Sequence, residues 1–178
     1  MRVLVLILLS LSVSSCSTVE HTDNDEFSVI TDACYEIVKD SFLYSLNYCE
    51  SGADVCFGLQ AYGIGEDHPS DESEIISNRD HWESKIDYLA RVGGMKQSEF
   101  SGSVTNGTKI KVSYLSFGDK GTLGKLWRVE FLITSGVHAN KLIVPPSPYH
   151  LLYPDWLERR REKDGPKFIQ EFIRKCKT

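Results

Sequence analysis

Two segments constrain the fold before anything else does. Residues 108–117, TKIKVSYLSF, place Ile110, Val112 and Tyr114 on one face at a period of two. Residues 126–134, LWRVEFLIT, do the same with Trp127, Val129, Phe131 and Ile133. The Gly-rich GDKGTLGK between them reads as a hairpin loop, and Asn106-Gly107 as a tight turn feeding the first strand. Val104 before them, and Lys141, Leu142, Ile143 and Val144 after them, extend the sheet until Pro145-Pro146 stops it.

Helical signals flank this β region. Asp80 stands where it caps a short helix, RDHWESKIDYLARV, with Trp82, Ile86 and Leu89 on one face and Gly93 and Gly94 at its end. Near the C-terminus, Pro154 suits the first turn of PDWLERRREK, Gly165 ends that segment, and Pro166 starts PKFIQEFIRKC. Phe168, Ile169, Phe172 and Ile173 make an apolar stripe that packs on the sheet and brings Cys176 to the core. The fold class expected is mainly β (α+β): a small antiparallel curled sheet or SH3-like barrel, a short central helix and a helical C-terminus. That architectural likeness carries no activity.

The remaining segments are less patterned. ACYEIVKDSFLYSL (33–46) fits both periods; its β-rich content favours extended structure broken near Lys39-Asp40-Ser41. CESGADVCFG (49–58) reads as a turn-rich loop, and residues 63–79 as the longest loop of the chain.

The first sixteen residues say where the chain works. Arg2 supplies a positive start, Val3 to Leu11 an apolar run broken only by Ser10, and Val13, Ser14 and Ser15 a small-residue exit. The run is shorter than the roughly 20 apolar residues of a spanning helix. Val13-Ser14-Ser15-Cys16 resembles the lipobox of bacterial lipoproteins, with Val where that family most often has Leu. The resemblance covers residues 1–16 and implies cleavage before Cys16, a diacylglycerol on its sulfur, and stable attachment through two or more acyl chains. Ser17 rather than Asp after the cysteine resembles the outer-membrane-sorted class, so the location implied is the cell envelope, lipid-anchored, on the outer membrane facing the periplasm. The domain plan is a signal peptide at 1–15, a lipidated cysteine with a polar tether at 16–30 (STVEHTDNDEFSVI after Cys16), and a single globular domain at 31–178.

Export makes disulfides chemically available. Beyond Cys16 remain Cys34, Cys49, Cys56 and Cys176, which allow three connectivities. The pairing expected closes a short loop with Cys49–Cys56 and ties the C-terminus to the start of the domain with Cys34–Cys176. The formal charge is −5, or −6 without Arg2, which gives no electrostatic reason to hold nucleic acid.

No catalytic set stands out. GDKGTLGK has one residue too many for a phosphate loop, and Leu126 occupies the place of the metal-binding hydroxyl. His21, His68, His81, His138 and His150 form no HxxxH or HExxH pair, so no metal or cofactor is expected. Ser101 lies in FSGS, without the flanking glycines of a nucleophile elbow. Asp71, Glu72 and Glu74 lack the spacing of a Ca²⁺ loop. Asn106-Gly107-Thr108 matches a glycosylation acceptor that a bacterial chain leaves idle. Arg159, Arg160 and Arg161, flanked by Glu158 and Glu162, read as a solvated helix face laced with ion pairs.

The function expected is a membrane-anchored envelope lipoprotein that binds or supports rather than catalyses, held by the lipid on Cys16 and meeting an envelope protein partner. The alternative is an immunity-like inhibitor whose acidic charge suits a basic, periplasm-targeted toxic enzyme. A third reading is an envelope hydrolase using a histidine and carboxylate set around His68 and the acidic loop; the same reading leaves a metal site from scattered His68, His81 and His138 as a remote option.

Overall fold

The computed structural model describes residues 18–66, 68–90, 98–119, 124–146, 155–158 and 163–177, with side chains of the central helix described as far as Ile86. The signal segment 1–15, Cys16, the Leu89 side chain, Gly93 and Gly94, His150 and the arginines at 159–161 lie outside the described residues. Of the expected 154–163 helix, residues 155–158 are described and are not helical: Leu157 makes an antiparallel bridge to Phe168 instead.

The chain is mainly β. Its strands are β1 (Thr18–Glu20), β2 (Cys34–Ile37), β3 (Ser41–Leu46), β4 (Cys56–Ala61), β5 (Phe100–Val104), β6 (Lys109–Asp119), β7 (Lys125–Ile133), β8 (Leu142–Val144) and β9 (Ile173–Lys175). Three short helices accompany them: α1 (Ser28–Thr31), α2 (Glu72–Ser77) and α3 (Arg79–Ala90). The nine strands form one sheet in the order β5-β3-β4-β8-β7-β6-β2-β9, with β1 paired to β6. The expected sheet was small and antiparallel, or an SH3-like barrel. The sheet found is open, and mixed because β4 and β8 run parallel.

The organising pair is the one the alternation marks. β6 and β7 pair along their length, from Ile110 opposite Ile133 to Asp119 opposite Lys125. A bulge between Val112 and Tyr114 shifts the register, so Leu115 takes the core position that strict alternation assigns to Tyr114. Trp127, Val129, Phe131 and Ile133 are all buried in the main core, beside Ile110, Val112 and Leu115. Residues 33–46 are extended and broken as expected. Lys39 and Asp40 interrupt β2 and β3, and the Asp40 carboxylate accepts from the Asn106 amide at 2.8 Å. That break carries the chain from the edge of β6 to the far side of β4.

The second face of β3 and β4 is closed by the helices. Phe42 and Tyr44 pack under Ile75, Trp82 and Ile86. Gly58 lies opposite Tyr44, and a Cβ there would come 2.0 Å from the phenol ring. The close approach of that ring is what requires glycine. Asp71 accepts from the Glu74 amide at 3.0 Å, and the Ser70 amide and hydroxyl each donate to Glu74 at 2.7 Å. The acidic group inside the expected loop is therefore the N-cap of α2. Asp80 sits within the first turn of α3, not at its cap.

The described C-terminal segment is not helical. Residues 163–172 run in turns, and β9 pairs with β2, Ile173 opposite Ile37. Phe168, Phe172 and Ile173 are buried, and Trp156 stacks on Phe172 at 5.1 Å. A stripe of this spacing suits a helix locally, but the edge of β2 offers backbone pairing, and the Cys34–Cys176 bridge holds the chain along it. Both expected bridges are present: Cys34–Cys176 spans 142 residues and Cys49–Cys56 spans 7.

Residues 18–30 are not a tether. Thr18, Val19 and Glu20 pair with Gly118, Phe117 and Ser116. Phe27 is buried against Trp127, ring centroids 5.0 Å apart, and His21 packs on both rings. The physical reason is that β6 outlasts β2. β2 covers only Lys109 to Lys111 of its outer edge, and β1 satisfies the backbone groups at the other end.

Candidate functional site: the polar face of β7

Alternation puts Leu126, Arg128, Glu130 and Leu132 on the face of β7 opposite the core. The pattern alone assigns that face to solvent. Yet Arg128 is 6% exposed and Glu130 0%. Cross-strand register sets Ser116 beside Arg128, Glu20 beside Ser116, and Tyr114 beside Glu130. The short loop closed by Cys49–Cys56 folds over this row. Arg128 Nη1 donates to Glu50 Oε2 at 2.8 Å, and Nη2 donates to Thr18 Oγ1 at 2.7 Å. The Ser51 amide and hydroxyl donate to the two Glu130 carboxylate oxygens at 3.1 and 2.5 Å. Among the described residues, Arg128 Nε and Ser116 Oγ are buried without a hydrogen-bond partner. The Tyr48 phenol beside the loop is pushed up, first by desolvation and then by the Glu50 charge.

This arrangement is a joint. A buried guanidinium links β1 to the disulfide loop, and a buried carboxylate fixes that loop through Ser51. Removing one partner of such a set strands a buried charge, which costs more than the set contributes. Arg128 Nη1 and Nη2 and both Glu130 carboxylate oxygens bond to structural neighbours, a geometry that suits holding and positioning.

The histidines raised by the sequence have separate environments. His68 lies in the turn before α2, its amide donating to the Gly65 carbonyl. His81 stands exposed on α3, edge-on to Trp82 at 5.0 Å. His138 leans on Gly102, and burial followed by the Lys141 charge lowers its pKa. Among the described residues, no three His, Cys, Asp or Glu side chains come together as a metal site. No described helix is long and apolar enough to cross a membrane.

Arg128, Glu130, Glu50, Ser51 and Thr18 were not singled out by the sequence. The available signal was two charges inside an otherwise apolar run, LWRVEFLI, but only the position of the disulfide loop reveals that both are covered. No family model, curated protein or solved structure matches this chain.

Proposed function

We propose that this protein is a lipid-anchored bacterial envelope protein, held by acyl chains on Cys16, whose domain works in the periplasm by binding rather than by catalysis. The observation that carries this reading is the pair of disulfides. Bridges persist in oxidising compartments, and here one closes the ends of the domain while the other fixes its polar joint. An exported chain with a lipobox-like exit before Cys16 supplies the matching route. The formal charge of −5 supports a second reading, an immunity-like inhibitor of a basic toxic enzyme. The test is the intact mass of the mature protein purified from membranes of its own cells. A chain beginning at Cys16 with added acyl groups is expected; an unmodified mass overturns the anchor. Protection of cells against a toxic envelope enzyme by expression of the protein, lost on deleting the domain, selects the second reading.

A further inference from the structure

We infer that the mature protein has no spacer: the end of its sheet that carries β1 rests on the headgroups of the bilayer holding its own anchor. The inference depends on lipidation of Cys16, proposed above.

Covalent geometry makes the case. Cys16 lies two residues before Thr18, so their Cα atoms are at most about 7 Å apart. Thr18 is itself locked to the domain. It pairs with Gly118 and accepts from Arg128 at 2.7 Å. The following turn is held as well: the His21 amide donates to the Leu115 carbonyl at 2.7 Å, and the Leu115 amide to Thr22 Oγ1 at 2.9 Å. Gly118 is the residue that permits this docking, since a Cβ there would meet Thr18 Oγ1 at 2.6 Å and its Cα at 2.7 Å. A free coil over 16–30 would instead float the domain roughly 20 Å from its anchor.

One group at the β1 end suits a headgroup layer: Lys125 is exposed beside Asp119 at the mouth of the β6–β7 hairpin, next to the Gly118 that pairs with Thr18. The mature chain's formal charge, −5 less Arg2 or −6, supplies no long-range pull towards anionic lipid, so the short leash, not surface affinity, sets the position. β2 and β9, with Cys34–Cys176, lie at the other end of β6, roughly 23 Å away along the strand. That end faces away from the bilayer and is the one offered to a partner.

Cys16 is the one cysteine outside the two bridges, so the mature chain can be coupled through it to maleimide-bearing lipid in a phosphatidylcholine supported bilayer. Neutron reflectometry then reads the water layer between headgroups and protein. The expected result is no resolvable layer for the native chain and a clear one when a ten-residue Gly-Ser segment is inserted between Ser17 and Thr18. Gly118→Val, which expels β1, should open the same layer. A native chain with a water layer as thick as that of the insertion variant overturns the inference. Because the coupling is chemical, this outcome is distinct from an unmodified native mass, which overturns the lipidation instead.

Discussion

The two faces of β7 show two ways of burying a strand. On one, Trp127, Val129, Phe131 and Ile133 enter an apolar core closed by Tyr35, Phe168 and Phe172. On the other, Arg128 and Glu130 are just as inaccessible, but what covers them is the short Cys49–Cys56 disulfide loop and an edge strand. The apolar face gains from every ring it removes from water and tolerates imprecision in its partners. The polar face gains only if each charge meets its designated partner. The first face holds the domain together; the second determines where the N-terminal strand and the loop lie.

Substitutions break this comparison unequally. The largest loss belongs to the apolar face: Trp127→Ala should cost about 3–5 kcal/mol, read as a lower denaturant midpoint. On the polar face, Arg128→Ala should cost about 3 kcal/mol, because it removes the charge-assisted hydrogen bonds to half-buried Glu50 and to Thr18. The comparison sharpens with Arg128→Met combined with Glu50→Leu, which should recover part of that loss while leaving β1 without its Thr18 contact. A double variant no more stable than Arg128→Ala would contradict the joint.

Next in size is the loop itself. Cys49→Ser with Cys56→Ser releases a short closure worth about 2 kcal/mol on chain entropy, and should loosen Ser51 from Glu130 more than it disturbs Trp127 fluorescence.

Alkaline titration probes the neighbouring clusters. Burial pushes Tyr35 and Tyr62 up to about 12 from an ordinary 10.0. The folded state therefore holds these protons longer than the unfolded chain does. Their stabilisation is complete below pH 10 and is lost as pH rises from about 10 to 12, where phenolate absorbance and unfolding should rise together.

The smallest effect is Tyr44→Phe. Its hydroxyl is buried with no hydrogen-bond partner among the described residues, so removing it should leave the thermal midpoint unchanged or slightly raised.

The sequence was legible where one strand's own side chains carry the pattern. β6 and β7 follow from alternation, β2 and β3 from a β-rich run with a polar break, and α3 from the Trp82–Ile86 spacing. It was silent where the partner is distant. β4 hides in CFGLQA because Gly58 records only the need to admit the Tyr44 ring. β1 hides in a polar stretch because its attachment is mostly backbone, and all three of its side chains are exposed. The tail misleads because Phe168, Ile169, Phe172 and Ile173 satisfy a helix as well as they satisfy turns and an edge strand. The polar joint was invisible for a related reason: Arg128 and Glu130 have the alternation of solvent-facing residues, and their cover comes from residues 78 to 110 positions away.

The most direct test of the account is native-state hydrogen exchange at the His21 and Ser51 amides. One hydrogen-bonds to the Leu115 carbonyl under β1, the other to the Glu130 carboxylate under the disulfide loop. The account predicts that both are protected in the native chain and that Arg128→Ala weakens both together. Exchange at the rate of an open coil at His21, with Ser51 still protected, would contradict it, because the N-terminal segment would then be a tether after all.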